Sequence, residues 1–96
     1  MKIGSFAHKW LKRLYEEDET RGVAAATVDK LRKMLLFIDE TENPDELLAL
    51  PAWKAHTLRG NRKGTWSLSV TANLRLTFRL DKTGREIIGL NLKDYY

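Results

Sequence analysis

The sequence predicts an α+β fold in which two main N-terminal helices, with a short third, pack on one face of a small antiparallel β-sheet. Two observations predict it. Before Pro51 the apolar residues recur at helical spacing, and after Pro51 they alternate with polar residues. A chain that runs through helices first and strands afterwards is typical of the α+β class.

The first predicted helix follows a short segment, Lys2 to Phe6, that suits an edge strand. Ser5 is the expected N-cap, and the polar stretch EEDETRG is expected to end the helix with Gly22 as its stop. The apolar residues of this helix recur at helical spacing or lie beside residues that do: Phe6, Trp10, Leu11, Leu14 and Tyr15.

The second predicted helix lies in VAAATVDKLRKMLLFIDE and has one apolar face. That face carries Ala24, Val28, Leu31, Met34, Leu35 and Ile38. A short third helix follows in ENPDELLALP. There Asn43 is a good N-cap, Pro44 suits the first helical position and Glu46 occupies the capping-box position. Pro51 is expected to stop this helix.

Side-chain parity sets the register of the first predicted hairpin, since facing residues of an antiparallel pair share a side of the sheet. WKAHTLRG is the expected first strand of the sheet. A three-residue loop at 71–73 places Val70 opposite Leu74 and keeps one face apolar. Such a loop needs a left-handed residue, and Asn73 tolerates that conformation.

The same test on the second hairpin favours a five-residue loop, DKTGR, with Leu80 facing Glu86 and Arg75 facing Asn91. The apolar face, with Ile88, Leu90 and Leu92 in the last strand, must then be covered by the helices. The other face carries polar residues: Ser67, Ser69, Arg75, Thr77, Arg79 and Asn91.

The length and composition fit one domain over residues 1–96, because 96 residues with 43% hydrophobic content give one thin core. Without cysteine, no disulfide or thiolate metal site can form. Two distant histidines give no ligand spacing, so we expect no metal and no cofactor. The start lacks a signal peptide, and no stretch approaches the ~20 apolar residues of a membrane span. We therefore expect a soluble, cytoplasmic protein with no membrane partner.

Charge is segregated along the chain. Residues 1–52 hold eight Lys/Arg and ten Asp/Glu, a balance of −2, whereas residues 53–96 hold nine and three, a balance of +6. From Leu47 to Leu80 there is no acid. A sheet surface of one sign suits a polyanion such as nucleic acid, the alternative being an ordinary solvated basic face.

Arg75 and His56 are the first candidates for chemistry. Arg75 stands among small and polar neighbours, where a guanidinium fork can clamp a phosphate; the alternative is an ordinary surface arginine. His56 lies in the basic segment KAHTLRG, where nearby cations disfavour its protonated form and leave a neutral imidazole able to accept a proton.

Further basic residues are expected to contact RNA: Lys54, Arg59, Arg62, Lys63 and the more peripheral Arg79. The alternative for the RGNRKG stretch is a charged hairpin loop. Asp94, Tyr95 and Tyr96 follow the last strand in KDYY, which makes them either site residues beside Arg75 or a polar tail.

The stretch KAHTLRGNRKGTWSLSVTANLRLTFRL, followed by KDYY, resembles the HigB branch of the RelE/ParE toxin superfamily. Its most specific pieces are H-x-L-[KR]-G at 56–60, G-x-W-S at 64–67 and N-x-R-[IL]-T-F at 73–78. The resemblance covers nearly the whole chain and implies a RelE-like fold.

The resemblance also implies an activity, which is ribosome-dependent cleavage of mRNA in the A site. A ribose 2′-OH attacks the adjacent phosphate without a metal and leaves a 2′,3′-cyclic phosphate and a 5′-OH. The implied partners are mRNA, ribosomal RNA and a helix-turn-helix, HigA-like antitoxin, with operator DNA bound only through the antitoxin complex.

Residue by residue, His56, Arg75, Asp94 and Tyr95 match the family's site, and Arg59 matches its basic residue after the histidine. Tyr96 departs from the pattern, since histidine is typical there, and this removes one candidate acid or base. The resulting hypothesis makes Arg75 the phosphate clamp and His56 a proton-transfer group. Asp94, Tyr95 and Tyr96 complete the site.

Two other functions stay open at this point. The superfamily also contains inhibitors of DNA gyrase without a nuclease site, against which His56, Arg75 and Asp94 argue. A non-catalytic inhibitor that binds RNA or the ribosome would arrest translation without producing new mRNA ends.

Overall fold

The computed structural model describes residues 1–58, 60 and 64–94. In this part of the chain the helices α1 (Lys9–Glu17) and α2 (Val28–Glu40) accompany a five-stranded sheet. The strands are β1 (Lys2–Ile3), β2 (His56–Thr57), β3 (Trp66–Ser69), β4 (Leu74–Leu80) and β5 (Glu86–Asp94). The predicted α+β class is confirmed. Neither of these helices is long and apolar enough to cross a membrane.

One hydrophobic core joins the helices to one face of the sheet. Leu31, Met34 and Ile38 of α2 are fully buried, as are Leu68 and Leu76 of the sheet. The predicted apolar face of α2 is therefore correct over 28–38. Its proposed extension to Ala24 is wrong, because the chain there is extended and precedes a 3₁₀ turn, Ala25–Thr27, so helical spacing does not apply.

The first helix ends within EEDETRG as predicted, but its predicted N-cap, Ser5, and its predicted stop, Gly22, are wrong. The N-cap is His8, whose Nδ1 accepts a hydrogen bond of 3.1 Å from Leu11 N–H. The helix ends at Glu17, where Asp18 adopts a left-handed conformation with φ of 54° and its N–H bonds back into the last turn. Gly22 instead makes room for Trp10, since a Cβ at this position would overlap the indole.

The predicted third helix forms as a 3₁₀ turn, Pro44–Ala49, rather than an α-helix. Its capping box is present as expected. Asn43 Oδ1 accepts from Asp45 N–H at 2.9 Å, and Glu46 Oε2 accepts from Asn43 N–H at 2.9 Å. A further 3₁₀ turn, Pro51–Trp53, leads into β2 and shortens the expected first strand to two residues.

The strand order is β1-β5-β4-β3-β2. Strands β2 to β5 pair antiparallel as predicted, while the edge strand β1 pairs parallel with β5, so the sheet is mixed. Ser5 extends this contact, because its carbonyl accepts from Leu90 N–H at 3.1 Å and its hydroxyl accepts from Gly89 N–H at 2.8 Å.

The hairpin of β3 and β4 has the predicted register, with Trp66 opposite Phe78 and Leu68 opposite Leu76. The left-handed conformation expected at Asn73 is wrong; no positive φ is found there. Thr71 closes the loop instead, because its hydroxyl accepts from the N–H groups of Asn73 at 3.2 Å and Leu74 at 3.0 Å.

The predicted register of β4 with β5 is wrong. Thr77 faces Asn91 and Arg79 faces Ile88, so Phe78 alone opposes two residues of β5, which are Gly89 and Leu90. This is a β-bulge, and Gly89 supplies the positive φ of 64° that such bulges use. The bulge turns Ile87 and Leu90 into the core and Ile88 away from it, where simple alternation places Ile88, Leu90 and Leu92 together.

Candidate functional site

A row of facing residues crosses four strands on the side of the sheet away from the core, here called the polar face. His56 pairs with Ser67, Ser67 with Thr77, and Thr77 with Asn91. Directly paired residues of antiparallel strands point to the same side, so all four side chains share the polar face. At about 4.8 Å between strands, the row spans roughly 14 Å.

The middle of this row is a buried floor of two hydroxyl side chains. Ser67 and Thr77 are each only 3% exposed, although they lie opposite the apolar face. The residues at the ends, His56 and Asn91, are more accessible. The row therefore has a buried hydroxyl-bearing middle and more accessible ends, which carry an imidazole and an amide.

His56 stands on the edge strand β2 with an exposed side chain. Its Nδ1 lies 2.8 Å from the carbonyl oxygen of Lys54. Because a carbonyl can only accept, Nδ1 carries the proton, and in the neutral ring Nε2 holds the lone pair. The left-handed conformation of Lys54, with φ of 47°, brings that carbonyl into position.

Arg75 lies one pair further along β4, facing Ser69 on β3 and Lys93 on β5. Its Nη1 donates to Ser69 Oγ at 2.9 Å and to Thr71 O at 2.8 Å. The guanidinium is thus anchored to the loop that joins β3 and β4. In the part of the chain that the structure describes, the ion pairs all lie elsewhere, so no carboxylate holds Arg75.

Arg79 is less peripheral than expected. It is exposed and lines a pocket of about 320 Å³ on the polar face, together with Asn91 and Lys93. The sequence pattern placed Asn91 on this face, but Lys93, which also lines the pocket, was not among the predicted site residues. Parity could have found it, since Lys93 follows Asn91 by two positions on the same strand.

Asp94 is not brought beside Arg75. It belongs to β5 and pairs with Leu74, so its Cβ lies on the side of the sheet that the helices cover. The expectations for Arg59, Arg62, Lys63, Tyr95 and Tyr96 fall on residues outside those described. Lys54 is described and exposed, and its carbonyl holds the His56 ring.

Several shifted pKa values belong to groups away from this row. Burial lowers the pKa of His8. A hydrogen bond of 2.6 Å to Asp39 raises the pKa of Tyr15 to about 12. The Thr83 hydroxyl, which donates to the Asp81 carboxylate at 2.8 Å, lowers the pKa of Asp81 and helps to shape the loop between β4 and β5.

Comparison with known proteins identifies the family of the chain. Residues 4–94 match the family described as RelE-like toxin of type II toxin–antitoxin system HigB. The chain is 42% identical over 94 residues to Endoribonuclease HigB of Proteus vulgaris, covering 98% of this chain and 99% of that protein.

Two solved structures share the fold. YafQ from E. coli superposes with a TM-score of 0.60 at 12% identity, over 97% of this chain and 93% of that one. The RelBE2 toxin–antitoxin complex from Mycobacterium tuberculosis gives a TM-score of 0.50 at 14% identity, over 97% and 95% of the two chains. At these identities the likeness concerns the fold alone.

The fold, a mixed sheet with helices packed on it, and the family match define the class of this protein, a RelE-like toxin of a type II toxin–antitoxin system. Within that class, the match over residues 4–94 and the 42% identity over nearly full length show that this chain belongs to the HigB family. Its partner is therefore an antitoxin.

Proposed function

We propose that this HigB-family endoribonuclease cleaves mRNA in the ribosomal A site and so stops translation. The row of facing residues carries the proposal, because it aligns His56 with a face that bears Arg75, Arg79 and Lys93. The stretch from Leu47 to Leu80 supplies most of these groups and contains no acid. The 42% identity to a named endoribonuclease supports RNA cleavage.

The reaction is an internal transfer of the phosphoryl group. The ribose 2′-oxygen bonds to phosphorus, and the bond from phosphorus to the 5′-oxygen breaks. One proton leaves the 2′-OH for a base, and another reaches the 5′-oxygen from an acid. The products are a 2′,3′-cyclic phosphate and a 5′-OH. Negative charge grows on the phosphoryl oxygens in the transition state, where a fixed cation is most effective.

We assign Arg75 the role of stabilising this negative charge in the transition state. Its anchoring through Nη1 to Ser69 and Thr71 fixes the guanidinium before RNA arrives. Nη1 carries only two of the five N–H donors of an arginine, so Nη2 and Nε provide a fork for a phosphate. A cation oriented in advance needs no reorganisation during the reaction.

His56 is the proton-transfer group. The Lys54 carbonyl orients the ring and leaves Nε2 as the basic nitrogen. Tyr95 and Tyr96 are proposed to supply the second proton transfer. Asp94, whose Cβ lies on the other side of the sheet, is proposed to support the end of β5. Lys54, Arg59, Arg62, Lys63 and Arg79 are proposed to hold RNA phosphates.

The antitoxin is proposed to be a helix-turn-helix, HigA-like protein, with operator DNA bound through the toxin–antitoxin complex. The toxin itself meets mRNA and ribosomal RNA in the cytoplasm. The HigB family match over residues 4–94 supports this choice of antitoxin.

Mapping of mRNA 5′ ends after brief induction tests the function. The unmodified toxin is expected to create new 5′ ends inside coding regions. Arg75→Ala should reduce their yield by about 10²-fold or more, the usual cost of losing a transition-state donor. His56→Ala should reduce it by ~10²–10⁴-fold. Arg85→Ala, which removes one positive charge from the exposed loop between β4 and β5, is the matched control and should cut normally.

Growth arrest without new 5′ ends, or undiminished cutting by Arg75→Ala, would contradict the proposal. A supercoiling assay on the same cells then tells gyrase inhibition from non-catalytic binding to the ribosome, because only the former changes DNA topology.

A further inference from the structure

The pocket of about 320 Å³ on the polar face is distinct from the positions of His56 and Arg75, neither of which lines it. It lies where β4 and β5 meet the N-terminal segment. The polar side chains around it are Ser5, Thr65, Thr77, Arg79, Asn91 and Lys93. Sites for small ligands begin at about 300 Å³, so the space suits one nucleotide rather than several.

The β-bulge builds this pocket. Two residues of β5, Gly89 and Leu90, oppose Phe78 alone, and the strand bends there. Ser5 locks the bent segment, since its hydroxyl accepts from Gly89 N–H at 2.8 Å and its carbonyl accepts from Leu90 N–H at 3.1 Å. Hydrogen bonds between the N-terminal segment and β5 therefore hold the wall of the pocket in place.

The pocket presents donors. Asn91 Oδ1 accepts from Leu92 N–H at 2.9 Å, which identifies the amide oxygen and leaves the NH₂ group of this pocket-lining residue as a donor. Arg79 and Lys93 add two cations, and no carboxylate is among the residues that line the pocket in the described chain. Such a site fits a ligand that combines an anion with acceptor atoms, as a nucleotide does.

The pocket also adjoins the proposed cleavage site. Lys93, on its wall, is the direct partner of Arg75 across β4 and β5. Thr77, on its floor, belongs to the row that contains His56. An RNA strand whose scissile phosphate lies at Arg75 can therefore reach the pocket with the next nucleotide.

We propose that this pocket binds the nucleotide adjoining the scissile phosphate. Arg79 and Lys93 hold its phosphate, and the Asn91 amide donates to an acceptor atom of its base. The inference rests on the proposed function for the position of the RNA, and it makes Asn91 a residue that selects the base beside the cut.

A titration of the full-length, ¹⁵N-labelled toxin by NMR tests this without a ribosome. The probes are the four nucleoside 5′-monophosphates, with inorganic phosphate as the reference. Nucleotides should shift the Asn91 side-chain NH₂ and Gly89 amide signals. Lys93→Ala should weaken the binding of every probe by about tenfold, because a charge-assisted contact to the phosphate is lost. Lys82→Ala, an exposed lysine of the neighbouring loop, is the matched control and should bind normally.

Asn91→Leu should weaken the binding of the nucleotides by about fivefold, which corresponds to the loss of one hydrogen bond. The binding of inorganic phosphate should not change. Asn91→Ser serves if the leucine variant does not fold. Unshifted Gly89 and Asn91 signals with every probe, or unchanged binding by Lys93→Ala, would overturn the site. Equal losses for nucleotides and phosphate would overturn the base contact. These readouts involve no cleavage, so a failure of the nuclease proposal is seen separately in the 5′-end mapping.

Discussion

At the scale of single residues, His8 couples the start of α1 to pH. Its Nδ1 accepts from Leu11 N–H, and burial lowers its pKa below the ordinary value of 6.5. Protonation removes the acceptor and places a positive charge at the positive end of the helix dipole. Since the unfolded chain binds this proton more readily, His8 destabilises the fold as pH falls below 6.5.

Replacing His8 by asparagine should remove this contribution, because asparagine keeps an N-cap acceptor and does not titrate. We expect unfolding by urea to show a smaller loss of stability between about pH 7.5 and about pH 5 for His8→Asn than for the unmodified toxin. His56 is present in both proteins and cancels in the comparison. Identical pH dependence would mean that His8 plays no such part.

At the scale of elements, the bulge in β5 decides which side chains reach the pocket and which enter the core. Gly89 has a φ of 64°, and among the described residues no atom beyond its own chain neighbours lies within 4 Å of where its Cβ would stand. A side chain there would therefore meet conformational strain and no steric overlap. The position needs glycine for its backbone alone.

Gly89→Ala should lower the free energy of unfolding by about 1–2 kcal/mol, the cost of a left-handed alanine. Gly89→Asn should cost less, since asparagine tolerates this region. Gly84 has a φ of 72° and equally open surroundings, so Gly84→Ala is the matched control. Urea unfolding should give both alanine variants similar losses, while only Gly89→Ala weakens nucleotide binding. Unaltered stability in Gly89→Ala would argue that the bulge relaxes freely.

The two hairpins explain how much of the fold the sequence predicts. Parity gives the correct register for β3 and β4, because alternation there is unbroken and the loop is short. Parity fails for β4 and β5, because Ile87 and Ile88 are both apolar. Either of them could face the core, so the pattern does not distinguish two registers that differ by one residue. Only the isolated Gly89 hints at the bulge, and a glycine alone does not reveal its φ.

The candidate site likewise has a part that the sequence pattern predicts and a part that it does not. The face shared by Arg75, Thr77 and Arg79 follows from alternation along one strand. The anchoring of Arg75 depends on the rotamer and loop geometry at Ser69 and Thr71, which spacing does not encode. The pocket depends on Ser5, which is 84 residues from Gly89 in the sequence.

At the scale of the whole molecule, the basic half of the chain is also the half that carries most of the proposed site residues. The predicted class, an endoribonuclease toxin of a type II system, is confirmed by the HigB family match and by the 42% identity to an endoribonuclease. Ribosome dependence and the individual site residues stay predictions. The basic half of the chain, with its balance of +6, forms most of the sheet that would meet RNA.

Binding of a single-stranded RNA oligomer should therefore weaken with salt, with log K falling by about 0.7 per unit of log salt for each phosphate contact. Three cations on the polar face, Arg75, Arg79 and Lys93, predict a slope of about −2 or steeper. Lys93→Ala should reduce the slope by about 0.7, and Lys82→Ala should not change it. Fluorescence anisotropy in a series of salt concentrations measures both. A slope near zero would show that these cations do not contact phosphates.

The parallel pairing of β1 with β5 sets an order of assembly. Among the described strands, β1 pairs with β5 alone, and the hydroxyl of Ser5 bonds to a residue 84 positions later in the chain. Contacts so distant in sequence close a long loop and form slowly relative to local ones. As the chain leaves the ribosome N-terminus first, α1 and α2 can collapse early, whereas the sheet and its polar face are completed last. The nascent toxin is thus structurally immature for most of its own translation.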